Sequence, residues 1–171
     1  VLNIAQSEYE NLDSSNLFVG RVSKNVFSES SLGAIFTSGN PTGNEDNSLI
    51  GMDFRYLNTR LANGKTLAGS LWYQQTRTDG LDGDDTAAGF SLSAPNTEGW
   101  WGEVNYRRIE DNFNPALGFV SQSGVGSWFA KGGFRWRPQH SRFRVISSEA
   151  KIQRVDRLDG QFDRQIISVD F

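Results

Sequence analysis

The sequence predicts an all-β fold, an antiparallel up-and-down meander. Apolar and polar residues alternate with a period of two in one segment after another, which is the pattern of strands with one apolar face. The 171 residues include 18 Gly, 12 Phe, 5 Trp and 4 Tyr, a composition that suits strands joined by tight turns. Short and long connections alternate between these segments, as expected where the two ends of a meander differ.

The first 16 residues, 1–16, are interpreted as a lead-in segment, and 17–171 as a β-barrel portion of nine strands. The clearest strand is 48–62, where Ile50, Met52 and Phe54 share one face. Asn63 and Gly64 then form a hairpin signal, so this strand is expected to pair antiparallel with the next one. The predicted strands are 17–27, 31–39, 48–62, 65–77, 86–94, 99–110, 125–137, 142–157 and 161–171.

The connections are predicted to be short at 28–30, 63–64, 95–98 and 138–141, and long at 40–47, 78–85 and 111–124. Only the last turn, near Asp159 and Gly160, breaks the alternation. Short turns at one end and long loops at the other are typical of bacterial outer-membrane barrels, whose short turns face the periplasm. The fold class is therefore predicted to be a meander that forms part of a transmembrane β-barrel.

Composition excludes several functional classes. The absence of Cys rules out disulfides, thiolate metal sites and a catalytic thiol, and the single His140, placed in a short turn, cannot form a multi-His site. No apolar run reaches the length of a membrane helix. The 17 basic and 20 acidic residues form no basic patch, which disfavours nucleic acid as a partner. No cofactor is predicted. Because the chain opens with Val1 and shows no signal peptide, it is interpreted as a processed or excised piece.

The apolar faces of the strands allow two interpretations. A soluble β-sandwich or barrel that binds a carbohydrate or a hydrophobic ligand would bury them, whereas a membrane barrel would turn them to lipid. Strand length favours lipid, and so do aromatic residues near the ends of the apolar stripes: Tyr56, Tyr73, Trp100, Tyr106, Trp128 and Trp136. Since open sheet edges are not tolerated in lipid and nine is an odd number, further strands or another chain are expected to close the barrel.

The opposite faces are predicted to line a polar lumen with Asp53, Arg55, Gln74, Glu103, Asn105, Arg107, Lys131 and Arg135. Ion pairs of Asp53 and Glu103 with Arg55, Arg107 or Arg135 are favoured over a glycosidase pair, which needs two carboxylates at a defined separation. No catalytic residue is assigned, and the chain is predicted not to be an enzyme. Trp72, Trp101 and Phe129 lie on the same face, where they would stack on sugars or pack within the lumen.

Two long loops carry further candidates. Asp79, Asp82, Asp84 and Asp85 could bind Ca²⁺ or bridge lipopolysaccharide through a divalent ion, but their spacing differs from the twelve-residue calcium loop, and a solvated loop is the favoured interpretation. Loop 111–124 is apolar and poor in charge. The hypothesis is that it folds inward as a constriction or rests on a partner.

Four motifs carry a resemblance to a known family: VGRV at 19–22, LGAIFT at 32–37, GMDF at 51–54 and FNPALGFV at 113–120. Together they resemble an uncharacterised bacterial outer-membrane barrel family in which a family-9-like carbohydrate-binding domain precedes the barrel. The resemblance spans about 17–138. It implies an outer-membrane location among lipid and lipopolysaccharide, with no catalytic residues. The expected role is a passage or anchoring platform linked to carbohydrate uptake or to glycan binding.

Overall fold

The computed structural model describes residues 1–139 and 142–171, apart from the side chain of Asn63. These residues form one antiparallel sheet in which ten strands lie in chain order. The strands are β1 (Leu2–Gln6), β2 (Ser15–Val26), β3 (Ser30–Ser38), β4 (Asn47–Leu61), β5 (Lys65–Thr78), β6 (Thr86–Ala94), β7 (Gly99–Ile109), β8 (Val125–Trp136), β9 (Ile146–Arg157) and β10 (Phe162–Asp170). The prediction of an all-β antiparallel meander is confirmed.

The strand count of nine is wrong, because part of the predicted lead-in forms a strand. Leu2–Gln6 pairs with the start of β2, with Leu2 opposite Val19 and Gln6 opposite Ser15. Five residues are too few for the alternation to stand out, so the pairing is visible only once β2 is in place. Ten is an even number, and the argument for missing strands from an odd count no longer applies.

The predicted hairpin between β4 and β5 is confirmed, with a longer turn than predicted. Leu61 pairs with Lys65, and Ala62–Gly64 form a short 3₁₀ turn between them. Gly64 closes the turn at φ +67°, a left-handed conformation that glycine adopts without strain. Gly64 therefore acts as expected, within a three-residue connection. None of the described residues belongs to a helix with the length and apolar character needed to span a bilayer.

The two ends of the sheet differ as predicted over most of the chain. Connections 7–14, 39–46, 79–85 and 110–124 lie at one end, the long-loop end, and 27–29, 62–64 and 95–98 lie at the other, the short-turn end. The prediction fails after β8, because β9 begins at Ile146 and the connection is 137–145 instead of 138–141. His140 and Ser141 lie outside the described residues.

The sheet is open and forms a single layer. β1 and β10 are its two edges and do not pair with each other. The accessible surface is 11856 Å², whereas a compact folded protein of this mass would expose about 8,400 Å². The chain by itself therefore leaves an unusually large area uncovered.

The uncovered area includes an apolar face that extends across the sheet. Alternation and strand register place on this face Val22, Phe36, Ile50, Met52, Leu71, Leu92, Trp100, Trp128, Phe134, Ile152 and Ile167, all of them exposed. Ile50, Met52 and Leu71 each keep 61% of their surface accessible. No second layer of the described residues covers them, so this chain alone does not form a sandwich.

Charged residues on the apolar face lie towards the ends of the strands. Arg77 and Arg108 lie next to the long loops, and Lys24 is close to the short turn that follows β2. Arg154 and Asp156, near the end of β9, pair with each other at 2.7 Å. The exposed apolar side chains thus form a band with polar margins.

The buried side chains of the sheet lie mainly on the opposite face, called the polar face below. Its buried apolar members are Leu49, Ala87, Ile109, Val125 and Val155. They lie near the long-loop end, where residues 111–124 cover part of this face. The molecule therefore buries apolar side chains on its polar face and exposes them on its apolar face.

Candidate functional site

The strand register brings the predicted lumen residues to the polar face. Asp53 pairs with Trp72, Trp72 with Gly89, and Gly89 with Arg107, so that these residues form one row across β4 to β7. Other rows of the same face carry the remaining predicted residues: Arg55, Gln74, Glu103, Asn105, Lys131 and Arg135. Their placement on one face follows from the period-two pattern alone.

Asp53 is bound chiefly by Arg21, a partner that the sequence analysis did not name. Arg21 Nη2 lies 2.7 Å and 3.0 Å from the two carboxylate oxygens, whereas Arg55 Nε is 3.8 Å away. A Cβ at Gly33, on the strand between them, would lie 2.7 Å from both Arg21 Nη2 and Asp53 Oδ2. Glycine at that position therefore lets the ion pair cross β3. Of the predicted partners of Asp53, Arg55 is present at the longer distance, and the ion pairs of the described residues do not include Arg107 or Arg135.

A glycosidase arrangement of Asp53 and Glu103 does not fit the register. β5 and β6 lie between their strands, and Glu103 is four residues along β7 from Arg107, the residue in the row of Asp53. With ordinary strand spacing the two carboxylates are roughly 20 Å apart. Glycosidase pairs lie within about 5 to 10 Å of each other. These two carboxylates do not form a paired acid and base.

Loop 111–124 folds over the polar face of the sheet, and its role as a constriction stays a prediction. Phe113 is buried against Leu49, Ala87 and Ile109, with Trp72 packed beside them. Val120, another apolar residue of the loop, packs against the same cluster. Packing on the sheet thus removes part of the apolar surface of the loop from water.

Two buried polar side chains hold the loop in place. Asn47 Nδ2 donates to Asn114 O at 2.8 Å and to Thr78 Oγ1 at 2.7 Å, and Asn47 Oδ1 accepts from the Ala116 amide at 3.2 Å. Thr76 Oγ1 accepts from the Asn114 amide at 3.1 Å. The sequence analysis assigned neither residue a role, since a polar residue at a strand end gives no signal of its distant partner.

The loop begins at Glu110, whose carboxylate is fixed by β6. The pKa of Glu110 is lowered from its ordinary value of 4.5, chiefly because Thr86 Oγ1 donates a hydrogen bond to it at 2.7 Å. The Thr86 amide, at 3.1 Å, and Arg108 lower the pKa further, against the opposing effect of burial. The charged form of Glu110 is thus the form that binds β6.

The acidic loop 79–85 supports loop 111–124. The Asn112 amide donates to Asp84 O at 2.8 Å, and Asn112 Nδ2 donates to Gly83 O at 2.9 Å. Asp85 accepts from Gln75 Nε2 at 3.2 Å. Among the described residues there is no cluster of three or more side chains with the spacing of a metal site, and Asp79 and Asp82 belong to none.

The three predicted sugar-stacking residues are spread over the polar face. Trp72 is on β5, Trp101 on β7 and Phe129 on β8, in three different rows. Trp101 lies over Gly133, with Lys131 Nζ 5.3 Å and Arg135 Cζ 5.6 Å from its ring centre. Lys131 and Arg135 therefore already make cation–π contacts with Trp101. The three aromatic residues do not form a single platform.

Of the three, Trp72 lines a half-open cavity beneath loop 111–124. A cavity of about 430 Å³ separates the polar face from loop 111–124. Trp72, Leu49 and Ile109 line its sheet side, and Phe113 and Leu117 line its loop side. The polar groups that reach it from the sheet are Thr37, Gln74 and Arg107.

Comparisons with protein-family models, with curated proteins and with solved structures found no match to this chain. The resemblance to the outer-membrane barrel family therefore stays a prediction. What is established is the antiparallel meander of ten strands with one exposed apolar face.

Proposed function

We propose that this chain is a segment of a bacterial outer-membrane β-barrel that serves as a passage or an anchoring platform. The observation that supports the proposal is the reversed burial of the sheet. Apolar side chains are exposed along the strands of one face, while the buried apolar side chains belong to the polar face and its loop. Soluble monomers rarely expose apolar patches beyond a few hundred Å². In lipid, such a face is in its preferred environment.

Strand length and aromatic placement agree with the proposal. Every strand after β1 has at least nine residues, and a tilted membrane strand needs about 9 to 11. Trp100 and Trp136 lie near the short-turn end of β7 and β8, and Tyr106 and Trp128 stack near the long-loop end, 4.4 Å between ring centres. Aromatic residues at both margins of an apolar band are typical of contact with lipid headgroups.

The two edge strands, β1 and β10, would need partners in a membrane. Backbone groups at the edge of a sheet cost several kcal/mol each when they face hydrocarbon. β1 and β10 have such edges. We therefore propose that further strands of the same protein, or another chain, pair with β1 and β10 to close the barrel, with membrane lipid and lipopolysaccharide around it.

The passage would be narrowed by loop 111–124. The loop lies on the face that becomes the lumen once the sheet is closed with its apolar side outward. A link to carbohydrate uptake or glycan binding rests on Trp72, Trp101 and Phe129, of which only Trp72 lines the cavity under the loop.

An arginine substitution in the apolar band tests the proposal. In lipid, Leu71→Arg is expected to cost about 2 to 4 kcal/mol and to lower the inserted fraction in vesicles. In water, the same change at a side chain that is already exposed should be within about 0.5 kcal/mol of neutral. Leu81→Arg, at an exposed leucine of loop 79–85, is the matched control and should be neutral in both cases. Equal effects of the two substitutions would contradict the membrane assignment.

A further inference from the structure

The cavity under loop 111–124 has a fixed aromatic side. A Cβ at Gly89 would lie 2.8 Å from Cε2 and Cζ2 of Trp72, so the indole rests against the backbone of Gly89. Leu49, Ile109 and Phe113, all buried, hold the surrounding surface in place. A ring or a branched aliphatic group of a ligand would find a preformed apolar surface here. The volume of about 430 Å³ is within the range of small-molecule sites.

One cation faces this apolar space. Arg107 is the only charged residue among those described that line the cavity. It is opposite Gly89 and thus next to the Trp72 ring. Its Nε donates to Ser127 Oγ at 3.0 Å, which orients the guanidinium. Within the described part of the chain no carboxylate lies within 4 Å of it, and Asp53, in the same row, is held by Arg21.

We infer that the cavity binds a small monocarboxylate with an aromatic or branched apolar body. The terminal nitrogens of Arg107 would bind the carboxylate, and the apolar body would lie between Trp72 and Phe113. A guanidinium fixed through Nε presents its remaining N–H groups in the fork geometry that matches a carboxylate. Phe119, which is 88% exposed, lines the loop side of the cavity. The inference does not depend on the membrane proposal, because all these residues lie on the polar face or in the loop.

A pair of isosteric ligands tests the inference. Phenylacetate and its neutral counterpart phenylacetamide are titrated into the folded chain by ligand-observed NMR, in detergent and, if the chain stays monomeric there, in buffer. We expect saturable binding of phenylacetate, and a loss of about tenfold in affinity for Arg107→Gln, as removal of a charged hydrogen-bonding partner predicts. The affinity for phenylacetamide should be unchanged by that substitution. Trp72→Leu should weaken both ligands.

Matched variants exclude indirect effects. Arg135→Gln removes a cation from the same face but outside the cavity, and it should leave both affinities unchanged. Arg107→Lys keeps the charge but loses the fork, so it should weaken phenylacetate less than Arg107→Gln does, and an unchanged affinity for phenylacetamide in both variants shows that the loss is not a folding defect. Three results would overturn the inference: no saturable binding to the wild-type chain, equal losses in Arg107→Gln and Arg135→Gln, or an amide that binds as tightly as the acid. None of them bears on whether the apolar face meets lipid.

Discussion

At the scale of single residues, Asn47 connects strand β4 to strand β5 and to loop 111–124 through three hydrogen bonds. Its side chain is almost fully buried, and its amide uses both the donor and the acceptor group to hold strand β5 and loop 111–124 together. Removing a buried partner leaves other groups without hydrogen bonds, which costs more than the bond itself contributes. Asn47 is therefore a position at which a small change releases the loop.

Asn47→Ala is expected to destabilise the chain by about 1 to 3 kcal/mol and to expose loop 111–124 to protease. The free energy of unfolding and the rate of cleavage within the loop measure the effect. Asn25→Ala, at an exposed asparagine of β2, is the control and should change neither quantity. A stable Asn47→Ala variant with a protected loop would contradict the role of Asn47 in holding the loop.

The contribution of Glu110 to the stability of the fold depends on pH, and the lowered pKa of Glu110 gives the sign of this dependence. A carboxyl group with a lower pKa in the folded than in the unfolded state stabilises the fold above its unfolded pKa. That stabilisation is lost as the pH falls through the folded pKa. We expect the wild-type chain to be more stable than Glu110→Gln at neutral pH, with the difference shrinking below pH 4.5. Denaturation of both chains across this range measures it, and a difference independent of pH would contradict the role of the Thr86 contacts.

At the scale of elements, loop 111–124 has one side chain that anchors it and one that does not. Phe113 is 6% exposed and Phe119 is 88% exposed, although both belong to the same loop. Phe113→Ala should cost about 3 to 5 kcal/mol, the usual range for a buried phenylalanine. Phe119→Ala should be nearly neutral. Chemical denaturation compares the two variants, and equal effects would mean that the loop does not pack on the sheet as described.

The elements also show what the sequence can and cannot predict. The long strands with clean alternation, such as β4, β5 and β7, are predicted within one or two residues, because apolar side chains recur at every second position in their central parts. β1 was not predicted, because five residues are too few to show an alternating pattern and only their pairing with β2 identifies them as a strand. The start of β9 is wrong by four residues, since 142–145 alternate between polar and apolar residues like a strand, whereas pairing with β8 begins only at Ile146.

The residues of the polar face were predictable as a set, but their pairing was not. Period-two alternation assigns Asp53 and Arg107 to one face without knowledge of the neighbouring strands. The pairing of Arg21 with Asp53 depends on the register of β2, β3 and β4 and on the missing side chain at Gly33. The cavity under the loop could not be predicted, because it depends on the packing of loop 111–124 over the polar face and on the position of Trp72. A local sequence pattern gives neither of them.

At the scale of the whole molecule, the central question is whether lipid or water covers the apolar face. The sheet has one layer, its surface is far larger than that of a compact protein of this mass, and its exposed apolar side chains form a band with polar margins. Lipid on one side and water on the other would satisfy both faces at once. Water on both sides would leave the band exposed.

Trp100 and Trp101 allow a direct test, since consecutive strand residues point to opposite faces. Trp100 is 75% exposed on the apolar face, and Trp101 lies on the polar face between Lys131 and Arg135. Two variants, each retaining one of these residues as its single Trp, are reconstituted into vesicles of lipids with brominated acyl chains. We predict strong quenching of Trp100 fluorescence and little quenching of Trp101. Equal quenching of the two residues, or stronger quenching of Trp101, would contradict the assignment of the apolar face to lipid.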